Sequence, residues 1–166
     1  MVGVAHRARG FSLLELMVVV AIMGILLAIA APNFTEWIAN QRVRDTAADI
    51  HTSVLRARSE AIARGLSTSI TPVGGNWANG WYIANPDGTY NPDPANPTVF
   101  IEQHGSVPNA TISGAGTVTL TNIGRISGVA LAIKVTVAGT SLARCITVDT
   151  AGRPKTRAIN AADTCS

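Results

Sequence analysis

The fold is decided by "FSLLELMVVVAIMGILLAIAAP", residues 11–32, an almost continuous apolar stretch that contains one acid, Glu15. The stretch reaches the length of about 20 residues that a membrane-spanning helix needs. Arg7 and Arg9 precede it, and residues 1–10 contain no acid. Because basic residues keep the adjoining end of a membrane segment in the cytoplasm, the sequence predicts a single transmembrane segment over residues 11–32 with the rest of the chain on the far side.

Glu15 needs an explanation, because a charge at the centre of a membrane costs about 2.5–3.5 kcal/mol and usually marks a functional site with a partner nearby. A secretory signal peptide is one alternative, since "AIAAP", residues 28–32, contains small residues typical of a cleavage site. Glu15 argues against it, because a segment that is removed has no use for an acid. An acid tolerated at the membrane interface is the other alternative.

The junction "RGFSLLEL", residues 9–16, with its short basic leader and the later Pro32, resembles the class III signal of type IV pilins and type II secretion pseudopilins. The resemblance implies that prepilin peptidase removes the leader, residues 1–10, by cutting between Gly10 and Phe11, and that the new amine of Phe11 is N-methylated. It also implies that Glu15 faces the charged amine of Phe11 on a neighbouring subunit of a filament. A buried carboxylate is tolerated only when it is paired, so this contact would set the register during assembly.

Residues 33–65 predict a continuation of the same helix as an amphipathic, periplasmic half. Apolar residues recur there at three- and four-residue spacing, and Gly65 is a natural helix stop. The stripe consists of Val43, Ala47, Ile50, Val54, Ala57 and Ala61. Pro32 predicts a kink. By resemblance, the stretch from Gly24 to Pro32 unwinds in the filament, and a plain kinked membrane helix is the alternative.

Residues 66–166 predict a β-rich globular head, because short alternating runs are separated by Gly, Pro, Asn and Asp. The predicted strands are residues 67–73, 80–85, 98–103, 117–122, 129–138 and 144–149. The predicted fold class is α+β, with a long amino-terminal helix, transmembrane in its first half, and a carboxyl-terminal antiparallel β-sheet head packed on the helix stripe, as in pilins.

Four stretches narrow the resemblance to the FimT/FimU and GspH group of minor pilins and pseudopilins. They are "ARSEAIARG", residues 57–65, "GNWANGWYI", residues 75–83, "NIGRISG", residues 122–128, and "VDTAGRPK", residues 148–155. The loop at residues 91–98 falls outside this resemblance, and no role is predicted for it.

Catalytic and metal-binding patterns do not emerge from the sequence. The three histidines, His6, His51 and His104, belong to no zinc-binding motif. Asp87 and Asp93 lie in turn-rich stretches without the alternating oxygen ligands of a calcium loop. We therefore expect a protein that is not an enzyme and that uses no cofactor or metal.

The two cysteines, Cys145 and Cys165, both lie late in the chain. In an exported domain we expect them to form a disulfide, which would close a loop of about 20 residues and stabilise by about 3 kcal/mol. Two unpaired buried thiols are the alternative. Because a carboxyl-terminal disulfide is common in type IV pilins and less typical of GspH pseudopilins, the pair favours a pilus subunit.

Net charge does not indicate a generally cationic protein. Removing Arg7 and Arg9 from the 13 basic residues leaves 11, against 10 acidic residues. A local exception is "TAGRPKTRAI", residues 150–159, where Arg153, Lys155 and Arg157 fall within five positions.

This stretch resembles the basic G-R-x-R sequence of FimT-like minor pilins that are linked to DNA uptake. Lys155 replaces the second arginine, which keeps the charge but loses the bidentate fork. If the stretch is extended, alternation places the three cations on one side; a solvated loop is the alternative.

The sequence therefore leads to three hypotheses. The first is a minor pilin, an assembly subunit of a type IV pilus that is anchored in the bacterial inner membrane, with a periplasmic head, before it enters the filament. The second is a GspH-like minor pseudopilin of type II secretion. The third is a minor pilin that binds DNA during natural transformation. The implied partners are other pilin or pseudopilin subunits, prepilin peptidase, the inner membrane and, in the third case, DNA.

Overall fold

The computed structural model describes residues 11–86 and 100–165, leaving out the side chains of residues 29–33. The predicted leader, residues 1–10 with Gly10, and the loop at residues 91–98 lie outside the described residues. The chain divides into two compact units, Met1–Trp37 and Ile38–Ser166.

Helix α1, Leu13–Arg64, contributes to both units. Its first turn is capped by Ser12, whose hydroxyl oxygen accepts a hydrogen bond from the backbone N–H of Glu15 at 3.2 Å. It ends where predicted, because Gly65 follows with a φ of +66°, a left-handed conformation that favours glycine. Helical backbone continues through position 32. Unwinding between Gly24 and Pro32 concerns an assembled filament and stays a prediction.

Residues 11–28 are exposed throughout, although almost all of them are apolar. The exposed fraction reaches 77% at Leu13 and 74% at Leu14. Where helix and side chains are both described, no helix is long and apolar enough to cross a membrane. The predicted transmembrane segment, residues 11–32, includes residues 29–32, whose side chains lie outside the described set.

The second part of α1 buries the predicted stripe. All six of its residues are at most 1% exposed, namely Val43, Ala47, Ile50, Val54, Ala57 and Ala61. Glu60 and Arg64, one helical turn apart, form an ion pair with 2.8 Å between Oε2 and Nε. Periodicity therefore predicted correctly which side of the helix faces the core.

Within residues 66–86 and 100–165, eight strands form two four-stranded antiparallel sheets. Their order is β3-β2-β1-β5 in the first sheet and β4-β6-β7-β8 in the second. The bounds are β1 Thr68–Pro72, β2 Trp81–Ala84, β3 Phe100–His104, β4 Ala110–Gly114, β5 Val118–Leu120, β6 Leu131–Val137, β7 Leu142–Val148 and β8 Pro154–Asn160. Two short 3-10 turns, Val73–Gly75 and Trp77–Asn79, lie between β1 and β2.

Two of these strands were missed in the sequence. Strand β4 has one large apolar residue, Ile112, among small and polar neighbours, which is too weak an alternation to detect. Strand β8 was not among the predicted strands, because residues 150–159 were interpreted either as an extended stretch or as a solvated loop, and the structure shows an edge strand paired with β7. Its lysine, arginine and proline are residues that protect a sheet edge from pairing with further strands. They also make the strand difficult to recognise in the sequence.

One hydrophobic core joins the helix stripe to both sheets. Ile50 and Val54 of α1 share it with Trp81 of β2 and with Ile133 and Ile146 of the second sheet. Burying a side chain of this size stabilises a fold by about 1.5–3 kcal/mol. The predicted α+β class, a long amino-terminal helix followed by an antiparallel β head, is confirmed.

Candidate functional site

Glu15, the predicted assembly residue, lies in the first turn of α1 with an exposed side chain. Its carboxylate makes no hydrogen bond or ion pair with any residue that the structure describes. Ser12 and Glu15 also have the S-x-x-E spacing of a capping box, which was not predicted from the sequence; in such a box the acid can also stabilise the start of the helix. Glu15 therefore has two candidate roles. It can stabilise the start of the helix, and its charge can pair with a group on another subunit.

The other predicted processing and assembly residues are described in part. Phe11 precedes the helix and is 73% exposed. Gly24 lies in the exposed helical segment, where an added Cβ atom would have open space around it. The side chain of Pro32 is among those left out of the description.

Cys145 and Cys165 are joined by a disulfide with 5.4 Å between their Cα atoms. Cys145 lies in β7 and is fully buried. Beside it, Nζ of Lys134 donates hydrogen bonds to the carbonyl oxygens of Ala161 at 2.6 Å and Asp163 at 2.7 Å. The carboxyl-terminal segment is thus tied to β7 by the disulfide and to β6 by two charge-assisted hydrogen bonds.

The first of the three predicted DNA-binding cations, Arg153, is engaged in the turn before β8. Its guanidinium forms an ion pair with Asp149 at 2.8 Å, and its backbone N–H donates to the same carboxylate at 3.0 Å. This backbone hydrogen bond, helped by the guanidinium, holds the pKa of Asp149 below its ordinary value of 3.8. Arg153 therefore offers less free charge than the sequence suggested.

Lys155 and Arg157 lie within β8 and are both exposed. They pair across the ladder with Thr147 and Cys145 of β7, two positions of the same parity, so their side chains share one face of the sheet. The structure places Lys155 and Arg157 on one face of the edge strand, as alternation predicts for an extended stretch, while Arg153 lies in the turn before it.

A partly buried polar cluster that was not predicted from the sequence lies between α1 and the first sheet. Trp81 Nε1 donates to Ser53 Oγ at 3.0 Å, and Ser53 Oγ donates to Glu102 Oε1 at 3.1 Å. Arg56 completes the cluster with 3.0 Å between its Nη1 and Glu102 Oε2. No sequence motif connects these four residues, because the contacts join positions far apart in the chain.

His104 extends this cluster. Its ring stacks on Trp81 with 4.0 Å between ring centroids, and its Nε2 lies 3.1 Å from Oδ2 of Asp49. Its Nδ1 lies 2.9 Å from the carbonyl oxygen of Gly105. Both ring nitrogens therefore face hydrogen-bond acceptors, and the contacts of His104 hold strand β3 against α1.

The cluster is suited to structure and not to nucleophilic catalysis. Ser53 is 1% exposed, and its hydroxyl donates to Glu102 instead of to a histidine that could take its proton. Across residues 11–86 and 100–165, no group of three His, Cys, Asp or Glu side chains is placed to hold a metal ion. The hydrogen bonds and the ion pair of the cluster hold β2 and β3 against the helix.

Two family models match the chain. The model described as type II transport protein GspH matches residues 46–152, and the prokaryotic N-terminal methylation motif matches residues 5–31. The first covers most of the head, and the second covers the apolar segment and its basic leader.

Similar proteins include several type IV pilins. The type IV major pilin protein PilA of Myxococcus xanthus is 61% identical over 36 residues, 22% of this chain and 16% of that protein. A fimbrial protein of Pseudomonas aeruginosa is 42% identical over 67 residues, 39% of this chain and 42% of that protein. The chain thus matches less than half the length of these two relatives. The type IV narrow pilus major component PilA5 of Thermus thermophilus is 36% identical over 90 residues, 50% of this chain and 76% of that protein.

Crystal structures of the type IV minor pilin FimU of Pseudomonas aeruginosa share the fold. One has a TM-score of 0.56 at 17% identity, covering 70% of this chain and 89% of that one. The other has a TM-score of 0.54 at 18% identity, covering 69% and 91%. The chain belongs to the GspH family of type IV pilin-like proteins, and the resemblance found in its sequence is confirmed.

Proposed function

We propose that this GspH-family chain is a minor pilin, a structural and assembly subunit of a type IV pilus with no enzymatic activity. In this proposal prepilin peptidase cuts between Gly10 and Phe11, and Phe11 is then N-methylated. The apolar segment, residues 11–32, anchors the protein in the inner membrane and afterwards packs inside the filament. The head, residues 66–166, faces the periplasm before assembly.

The observation that supports this proposal most strongly is the uncovered apolar surface of residues 11–28. A contiguous exposed apolar surface of this extent marks a membrane or protein contact. Covering it stabilises by about 25 cal/mol for each Å² removed from water. A membrane supplies that cover before assembly, and neighbouring subunits supply it in a filament.

Glu15 gives the filament contact its specificity. Its carboxylate has no partner in the single chain, as far as the structure describes it. Inside a filament an unpaired carboxylate would cost several kcal/mol, whereas one that faces the amine of a neighbouring Phe11 is compensated. Only subunits in the correct register bring these two groups together.

The test separates the two roles of Glu15. Glu15→Gln keeps the side chain that a capping box accepts but removes the charge, and Glu15→Ala removes both. We expect both variants to reach the membrane normally and to be at least about tenfold depleted from sheared filaments, since losing the partner of a buried charge costs about 3–5 kcal/mol. Met17→Ala, which is also exposed, is the matched control.

Immunoblots of membrane and filament fractions measure this depletion. Normal incorporation of Glu15→Gln would show that the charge is dispensable and that Glu15 acts only at the helix start. Normal incorporation of both variants would remove the assembly role altogether.

A GspH-like pseudopilin of type II secretion is the alternative, favoured by the description of the matching family model. The disulfide that ties down the carboxyl end favours the pilus. Deleting the gene distinguishes them: loss of pili with normal export supports a minor pilin, and loss of export with normal pili supports a pseudopilin.

DNA binding during uptake is a second candidate function, favoured by the exposure of Lys155 and Arg157 on one face of β8, with Arg153 in the turn before it. We expect two or three phosphate contacts and a log–log salt slope of about −2 to −3 for the wild-type chain. Lys155→Gln with Arg157→Gln should abolish the binding, whereas Arg42→Gln together with Arg125→Gln, which removes the same charge elsewhere, should not. Binding that survives the first pair of changes would exclude this surface.

A further inference from the structure

A cavity of about 420 Å³ lies between α1 and the second sheet, lined by Arg44, Ala48, His51, Arg144 and Thr156. Arg44 and His51 are seven residues apart, two turns on one side of the helix. Opposite them, Arg144 projects from β7 and Thr156 from β8. Thr156 pairs with the buried Ile146, so its side chain lies on the helix-facing side of the sheet.

The lining of this cavity carries positive charge without a balancing acid. Arg44, His51 and Arg144 have no hydrogen bond or ion pair with any described residue. The Nε of Arg144 is moreover shielded from solvent and has no acceptor. Native proteins seldom leave a buried charged donor unsatisfied, so this atom points to an acceptor that the described residues do not supply.

The other side of the same helix shows that this lack of acids is local. There Asp49 meets His104 at 3.1 Å, and Arg56 meets Glu102 at 3.0 Å. These charged groups towards the first sheet have their counter-groups, and the groups that line the cavity towards the second sheet do not. The lack of acidic partners for the basic side chains is therefore specific to the cavity and does not hold for α1 as a whole.

We propose that this cavity is a binding site for an oxyanion, the chemistry shared by phosphate and carboxylate groups. The lining residues Arg44, Arg144 and Thr156 supply two guanidinium groups and a hydroxyl as donors for such an anion. Arginine presents its donors in a planar fork that matches the paired oxygens of such groups. The site is separate from Lys155 and Arg157, which lie on the opposite face of β8.

The test uses the full chain in a non-ionic detergent, titrated at constant ionic strength with inorganic phosphate and, separately, with acetate. Calorimetry measures affinity, and amide chemical shifts locate the site. We expect saturable binding that weakens at least tenfold in Arg144→Gln and in Arg44→Gln, because each removes a charge-assisted donor. Arg42→Gln, which removes the same charge from an exposed position of α1 outside the cavity, should bind like the wild type.

The two ligands identify the source of the oxyanion. Binding of phosphate alone supports a phosphoryl group, and binding of acetate as well supports a carboxylate such as an acidic side chain of another protein. If Arg144→Gln fails to fold by circular dichroism, Arg44→Gln decides, since Arg44 is exposed. No saturable binding of either ligand, or equal weakening in all three variants, would overturn the proposal.

Discussion

The two units of the chain treat the same kind of residue in opposite ways. Ile25, in the first unit, is 63% exposed, whereas Ile50, on the same helix in the second unit, is fully buried. The second unit closes its apolar stripe with two sheets of its own, and residues 11–28 have no such cover. The second unit can thus account for its stability with its own contacts, whereas in the proposed function a membrane or other subunits cover the apolar segment.

Replacing one isoleucine by alanine in each unit tests this difference in burial directly. Ile50→Ala leaves a cavity in the core and should lower the free energy of unfolding by about 2–5 kcal/mol. Ile25→Ala shortens a side chain that is already 63% exposed and should change the free energy of unfolding by less than about 0.5 kcal/mol. Urea unfolding of the full chain in non-ionic detergent, followed by tryptophan fluorescence, measures both. Equal losses of unfolding free energy at the two positions would show that the two units do not differ in how they bury isoleucine.

A second prediction concerns the disulfide that ties the carboxyl end to β7. Replacing Cys145 and Cys165 together by alanine should cost about 3 kcal/mol, because the bridge restricts a 20-residue separation in the unfolded chain. The measurement is the same urea unfolding. Reductant is the control: it should bring the wild type towards the variant and leave the variant unchanged. A wild type insensitive to complete reduction would show that the hydrogen bonds of Lys134 suffice.

The smallest expected effect is at the turn before β8, where Asp149 meets Arg153. Since the pKa of Asp149 is lowered in the folded state, its contribution to stability is present above the ordinary value of 3.8 and is lost as the pH falls through the lower, folded value. Arg153→Ala should raise this pKa only part of the way, because the backbone N–H at position 153 still donates. Carboxyl-carbon NMR titration of both proteins checks this. An Asp149 that titrates at its ordinary value in both would contradict it.

The features of this structure that can be predicted from the sequence are those whose residues lie close together in the chain. The stripe from Val43 to Ala61 and the stop at Gly65 are local patterns, and both were predicted correctly. Strands β4 and β8 were missed because small or charged residues hide their alternation. The junction at Gly10 and Phe11 stands out because leader, acid and apolar stretch follow each other directly.

Other parts of the candidate surfaces depend on contacts between distant positions. Asp49 meets His104 across 55 residues, and Arg44 shares its cavity with Arg144. Neither pair has a spacing that any motif describes, since only the folding of β3 and β7 against α1 brings them together. Charge partners and cavities of this kind follow from tertiary structure alone.

Retention of residues 11–32 in a filament is the property on which the proposed function depends most. Mass spectrometry of the chain recovered from sheared filaments measures it directly, through the intact mass and the first peptide. We expect a chain that begins at an N-methylated Phe11 and keeps the whole apolar segment. A chain that begins after the "AIAA" stretch, residues 28–31, or one that is absent from filaments, would contradict the proposal.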